Sequence, residues 1–376
     1  MSALRDTCQV WIDSGSPIRR EAVDRVHAVT GYDAGFIELH LRHLFQTLSG
    51  DPLATLTGAP DHLLPPRSLI TIASGNITGA WLPPVVAHLI AGGLCLVKCS
   101  SSEPALPGLF HDSLQQHAPE LADRLAVASW NGGDRRIEAA LLSATASVAV
   151  YGDDATATAI RRLAPQATHF LEFGHRLSAA WIGAEAFGRH SPADLANRLA
   201  RDLAVFDGQG CLSPQLVLVE DPNTDRTQAL VEQLAEALTR LETEHPLRPL
   251  SAAEAASVHS YRASIAMRSL SANPPHLRMS AGGAGWTIVV DPHARLVPTC
   301  LNRTAILRPI HRPDEAITLL ESAGRSLGIV AAVGLGEAEA ARLREVAVRG
   351  VCSLGDAQFP ANPFQHDGVD LSVLFG

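Results

Sequence analysis

Cys211 stands in the run Asp207-Gly208-Gln209-Gly210-Cys211-Leu212-Ser213-Pro214, with a glycine on each side of Gln209. That spacing predicts a tight turn with room for a carbonyl carbon beside the sulfur. The residues that follow are read as a helix start, whose N-terminus would favour the thiolate. A thiolate so placed attacks acyl groups. The competing reading is a small buried hydrophobe, and that reading is the expectation for Cys8, Cys95, Cys300 and Cys352. A second reactive candidate is Glu172 in Leu171-Glu172-Phe173-Gly174-His175. A carboxylate that ends a buried strand faces the C-terminal crevice of a sheet, where ligands of α/β folds bind; a solvated strand-end acid would look the same. A third is Asn76 in Ser74-Gly75-Asn76-Ile77-Thr78-Gly79, whose amide could donate to a developing oxyanion. Asparagine is also ordinary in strand-end turns. Finally, among 30 basic residues only Lys98 is a lysine. GC-rich codon usage explains the arginines, and one surviving lysine hints at a position that needs an ammonium.

Elements must carry these residues to one place. Residues 1–66 read as peripheral helix, with Asp33 capping a segment of helical apolar spacing. A Pro/Gly-rich connector (Asp51-Pro52, Gly58-Ala59-Pro60, Pro65-Pro66) follows. From Arg67 short strands alternate with helices: Ser68–Ser74, a helix from Leu82, Leu94–Lys98, a helix from Glu103, Leu125–Ser129, a helix from Arg135, Ser147–Tyr151, a helix from Asp154, and Thr168–Phe173. This alternation implies an α/β fold, a Rossmann-like parallel sheet with helices on both faces, although no GxGxxG follows its first strand. A second α/β block is expected from about Pro192. It holds a helix to Val205, the Gln209 turn, the strand Gln215–Glu220, two Ala-rich helices between Asp225 and Leu270, and the loop Ser280–Gly285 before the strand Trp286–Val290. Strands at Arg303–Ile310 and Gly328–Val333 and helices from Asp314 and Glu337 complete it. The expected divisions are an N-terminal helical segment over 1–66, a cofactor domain over 67–190, a catalytic domain over 191–355 and a tail over 356–376.

Composition narrows the function classes. A net charge of −9 offers no footprint for nucleic acid or an anionic membrane surface. The most apolar run, Trp81–Val97, is short and broken by Pro83-Pro84 and Gly92-Gly93, so a membrane span is not expected. The N-terminus lacks the pattern of a secretion signal. Six cysteines without a CxxC pair read as reduced thiols. The expected setting is cytoplasmic, and no ligand spacing for a metal is visible.

Taken in order, these segments resemble the aldehyde dehydrogenase superfamily. The pieces are the Asn76 turn, Lys98 followed by Ser100-Ser101-Ser102-Glu103, Tyr151-Gly152-Asp153, Leu171-Glu172-Phe173-Gly174, and Gly208-Gln209-Gly210-Cys211. The resemblance covers about residues 67–376. Within the superfamily the chain is most similar to the acyl-CoA reductase branch, typified by the reductase subunit of the fatty-acid reductase of luminous bacteria. Three stretches carry that likeness: Asn76-ITGAWLPPVVAHLIAGG, Gln209-GCLSPQ and Leu354-GDAQFPANPFQHDGVDL.

The resemblance implies that Cys211 takes an acyl group from a thioester and that NADPH reduces it to an aldehyde. By the same likeness Asn76 and the Cys211 N–H form the oxyanion hole, and Glu172 is the general base. Lys98 binds the adenosine ribose, with Ser74 beside it, and Gly152 lies near the pyrophosphate. His175 replaces the family's second glycine, so it competes with Glu172 as base. An acidic residue usually stands three positions after the lysine and repels a 2′-phosphate. Ser101 stands there, which favours NADPH, with NADH second and Glu103 within reach to reverse the preference. The Glu-x-Phe-Gly-Pro element is not visible; Asn302-Arg303-Thr304 is where it would lie.

The implied partners are acyl-CoA or a carrier-bound thioester, and an enzyme that donates the acyl group or consumes the aldehyde. An oligomer is compatible with the sequence, although little sequence remains for the family's oligomerisation arm. Three readings compete: an aldehyde dehydrogenase working toward the acid through Glu172, a Cys-His acyltransferase or thioesterase without nicotinamide, and a catalytically silent scaffold.

Overall fold

The structure is a computed structural model that describes residues 2–50, 68–268, 274–281, 283, 285–362, 365–366 and 369–371. The expected connector and part of the Ser280–Gly285 loop lie outside the described residues. Two compact units form, Met1–His175 with Ala361–Gly376, and Arg176–Pro360.

In the first unit, helices α1 (Ser2–Ile12), α2 (Pro17–Thr30) and α3 (Ala34–Ser49) come first. Asp33 caps α3 as expected, its carboxylate accepting from the Phe36 N–H at 3.0 Å. Strands β1 (Ser68–Ile72), β2 (Leu94–Lys98), β3 (Leu125–Ala128), β4 (Ser147–Tyr151) and β5 (His169–Phe173) form one parallel sheet in the order β3-β2-β1-β4-β5. The chain builds outward from β1 to β3 and then returns beside β1 with β4. Strand order therefore reverses between β1 and β4, the switch point beyond whose C-terminal strand ends α/β folds bind ligands.

One sheet face buries Ile70, Ile72, Val148 and Val150 against Ala157 and Ile160 of the helix Asp154–Leu163. The N-terminal helices attach through aromatic packing. Trp11 stacks on Phe45 at 4.6 Å, Phe45 and Trp81 each meet Phe110 at 6.0 Å, and the Trp11 indole donates to Ser113 Oγ at 3.0 Å.

The second unit is built on a seven-stranded sheet in the order β12-β11-β6-β7-β10-β9-β8. Its strands are β6 (Leu177–Ile182), β7 (Pro214–Glu220), β8 (His276–Met279), β9 (Thr287–Val290), β10 (Thr304–Ile310), β11 (Leu327–Val333) and β12 (Val351–Ser353). All pairs are parallel except β8 with β9. Alternate residues serve opposite cores. Ala180, Ile182, Val217, Val219 and Leu307 pack with the helices Pro192–Ala204 and Asp225–Glu244. Ala179, Trp181, Leu216, Leu218 and Ile306 pack with Ile265, Ile317, Leu320 and Leu343 on the other side.

The units divide at 175/176 and 360/361, not at 190/191 and 355/356 as expected. The reason is β6, which sequence reading did not foresee. It lies between β7 and β11, so the second unit begins at its first strand and not at the later helix.

Candidate active site

In the first unit every candidate lies on the C-terminal edge of the parallel sheet. Lys98 ends β2 and is paired in register with Ile72, the end of β1. Val150 of β4 pairs with Ile72 on one side and Glu172 of β5 on the other. Ser74, Asn76 and Gly152 follow β1 and β4 directly. Gly75 makes this crowding feasible: a β-carbon there would sit 2.0 Å from Ser102 Oγ and 2.8 Å from Ser100 Oγ. The turn after β1 and the serine loop after β2 therefore touch, and only glycine permits it.

The acidic residue of the serine loop faces away from solvent. Glu103 is 2% exposed, and its Oε1 accepts the Ala105 and Leu106 N–H groups at 2.9 Å each, capping the helix Ala105–His117. Burial pushes its carboxyl above the usual range, and those two N–H donors pull it back. Ser101 is exposed and Lys98 half-buried.

Gly152 suits close backbone approach, but the helix behind it opens with Asp153 and Asp154. The Asp153 carboxylate accepts the Thr156 N–H at 2.7 Å, so that helix end is already occupied by negative charge. A pyrophosphate gains nothing from that dipole.

Glu172 is not a solitary strand-end acid. Arg161 donates to its Oε2 at 3.1 Å and lies over the Phe170 ring at 4.0 Å, so the carboxylate is tied to the helix before its own strand. His175 is exposed and is the last residue of the first unit, close enough to Asp153 to help hold that carboxyl below its usual range, after the larger effect of the Thr156 hydrogen bonds.

In the second unit, Cys211 is half-buried in a turn that runs straight into β7. No helix begins there, so the expected activation by a helix N-terminus is corrected. The residues after it, Pro214-Gln-Leu-Val-Leu-Val-Glu, are a buried strand because their branched apolar side chains fill the centre of the sheet.

The turn is fixed by its neighbours. Ser178 of β6 donates to the Cys211 carbonyl at 2.6 Å and itself accepts from the Ile329 N–H at 3.2 Å. Gln358 donates to Ser213 Oγ at 2.7 Å from a loop whose Gly355 and Ala357 N–H groups are held by the buried carboxylate of Asp202. On the other side Gln209 donates to Asn302 Oδ1 at 2.9 Å.

Left-handed backbone marks Asn302 and the segment just before Gln209. Phe206, Asp207 and Gly208 have φ of 50°, 52° and 71°, and Leu301, Asn302 and Arg303 have 56°, 51° and 56°. A non-glycine residue in that region costs about 1–2 kcal/mol, so the surroundings must enforce it. The Arg303 N–H donates to the Asp207 carbonyl at 3.1 Å, and its Nε and Nη2 reach Asp207 Oδ1 at 2.9 and 2.7 Å. Nη2 also donates to the His245 carbonyl at 2.9 Å. Arg303 is 1% and Asp207 2% exposed. Burial raises the Asp207 carboxyl above its usual range, and the Arg303 charge opposes that.

Sequence reading missed Ser178, Asp207, Arg303, Gln358 and Arg161. Asp207 lies inside the Cys211 motif, Gln358 inside the stretch from Leu354 and Arg303 inside Asn302-Arg303-Thr304, whereas Ser178 and Arg161 carry no local signal. No disulfide joins the six cysteines. Burial holds the other five thiols above their usual range, Cys8 and Cys352 at about 12.

The fold is that of the aldehyde dehydrogenases. Aldehyde dehydrogenase 21 from Physcomitrella patens, solved with the reaction product succinate, superposes with a TM-score of 0.70 at 12% identity, over 93% of this chain and 77% of its own. Glyceraldehyde-3-phosphate dehydrogenase GapN from Methanocaldococcus jannaschii, complexed with NADP, gives 0.68 at 12% identity, over 95% and 82%. Lactaldehyde dehydrogenase from Escherichia coli gives 0.67 at 13%, over 94% and 77%. No curated protein matches the sequence. The sequence model of the acyl-CoA reductase (LuxC) family matches residues 60–373, and the chain belongs to that family. It is therefore an oxidoreductase of aldehyde or acyl substrates.

Proposed function

We propose that this protein reduces an acyl thioester, acyl-CoA or a carrier-bound acyl group, to an aldehyde with NADPH through a thioacyl group on Cys211. The observation that carries the reading is the family match over residues 60–373, which spans the Asn76, Lys98, Glu172 and Cys211 segments. The Cys211 thiolate attacks the thioester carbonyl, the carbon–sulfur bond to the donor breaks, and the donor leaves as a thiolate. That departure needs no metal and little acid catalysis, because the leaving group is already a good one. Asn76 and the Cys211 N–H are assigned to the carbonyl oxygen as charge develops on it. When bound, the nicotinamide supplies a hydride to the acyl carbon. Return of the electron pair to sulfur then releases the aldehyde and restores the thiolate.

One feature supports reduction over oxidation to the acid. Hydrolysis of the acyl group requires a base on water, and Arg161 occupies the Glu172 carboxylate. NADPH is favoured because Ser101 stands on the serine loop while Glu103 is committed to its helix cap. Lys98 and Ser74 are assigned to the adenosine ribose, and Gly152 to close approach by the cofactor backbone.

The test is incubation with acyl-CoAs of graded length and NADPH, following nicotinamide absorbance and trapping aldehyde. Aldehyde equal to NADPH consumed is expected. Faster oxidation of aldehydes with NADP⁺ than reduction of thioesters would favour the dehydrogenase instead.

A further inference from the structure

We propose that Asp207 and Arg303 are positioning residues that hold the left-handed segment 206–208, and through it the Cys211 turn that follows, in the reactive form. This rests on the assignment of Cys211 as acyl acceptor. The two left-handed triplets, 206–208 and 301–303, cross-link at two levels. Main chain joins main chain through the Arg303 N–H and the Asp207 carbonyl, and guanidinium joins carboxylate through two donors on one oxygen. One residue further on, Gln209 reaches Asn302, whose own amide donates to the Cys300 carbonyl at 2.9 Å. Arg248 adds its N–H to the second Asp207 oxygen at 3.3 Å.

Asp207 thus accepts at its carbonyl and at both carboxylate oxygens, four residues before the sulfur. A buried ion pair contributes little net stability compared with well-packed apolar side chains, but it can select one conformation among several. Here the conformation selected is strained, and it is the one from which Cys211 projects. Loss of the pair would let the turn relax toward ordinary backbone and shift the sulfur relative to an incoming carbonyl.

The experiment separates position from stability. Asp207→Leu with Arg303→Met removes both charges together and leaves neither buried alone. Wild type and the double variant are mixed, without nicotinamide, with whichever of an acetyl- to hexadecanoyl-CoA series the wild type accepts fastest, and acyl-Cys211 is quantified by mass spectrometry. Alkylation of Cys211 by iodoacetamide, which makes small demands on alignment, is measured beside it.

The expected result is a folded double variant with near-normal alkylation and acylation slowed on the order of 100-fold, the size of effect that follows a misplacement of about an ångström. Arg303→Lys keeps the charge but not the fork, and a smaller loss in the same ratio is expected. Acylation at the wild-type rate in the double variant overturns the proposal. If that variant does not fold, a wild-type acylation rate in folded Arg303→Lys overturns it equally. Absence of acyl-Cys211 in the wild type refutes the function itself, a result distinct from both.

Discussion

Cys211 is held on both sides by groups that sequence inspection does not flag, and this shapes what substitution should reveal. Ser178 fixes its carbonyl and Asn302 fixes Gln209 two residues before it. Cys211→Ala should abolish acyl labelling, whereas Cys95→Ala and Cys300→Ala should leave it, because burial keeps those thiols protonated. Mass spectrometry after exposure to an acyl-CoA decides; an adduct elsewhere with Cys211 clean sinks the assignment. Glu172 should matter less. With its carboxylate paired to Arg161, Glu172→Gln should lower NADPH-dependent aldehyde formation by no more than about 100-fold, the smaller end of general acid–base effects. His175→Gly, compared in the same assay, tells whether the base has moved to the exposed histidine.

The elements that carry these residues were legible wherever a strand was rich in Val, Ile or Leu. β1, β2, β4, β7 and β10 fall within a residue or two of where apolar runs and turn residues place them. β6 was missed because Leu177-Ser-Ala-Ala-Trp-Ile has alanine at its centre, a residue with little strand preference of its own. Its place is set by neighbours on both sides. The helix expected at Cys211 failed for the converse reason: glycine before cysteine resembles a helix start, but β7 claims the residues after it.

Cofactor choice belongs to this scale, because the proposed reading assigns it to one loop end. Ser101→Glu should weaken NADPH at least about tenfold relative to NADH, since like charges brought together cost on the order of a kcal/mol or more. Glu103→Ala should instead cost about 1 kcal/mol of stability through the lost cap and leave the preference alone. Titration of both cofactors against each variant tells the two effects apart.

For the molecule as a whole, buried ionisable groups set an acid limit. Burial holds His40 and His88 at about 4, and neither ring nitrogen of His88 has a hydrogen-bond partner among the described residues. The unfolded chain takes up these protons near 6.5 and the folded chain only near 4, so stability is full above 6.5 and falls as pH drops through that window. Asp202 acts oppositely. Burial raises it to about 7, so its contribution declines as pH rises from its ordinary value toward 7. Denaturation curves from pH 4 to 8 should therefore show His88→Leu flattening the acid side and Asp202→Asn steepening the rise toward neutrality, because the opposing decline is removed; parallel curves for wild type and His88→Leu would refute the histidine account. Among the described residues no helix is long and apolar enough to cross a membrane.

The lone lysine at the end of β2 has a consequence for a protein that would release aldehydes. Amines condense with aldehydes to imines, while arginine's guanidinium stays protonated and resists that reaction. The sequence carries one side-chain amine, Lys98, half-buried on the sheet edge assigned to the cofactor. Accumulating product therefore has a single side chain on which to form an imine, and a dinucleotide resting there would shield it. Reductive trapping with borohydride in the presence of a long-chain aldehyde should mark Lys98 among the side chains, and NADPH should protect it.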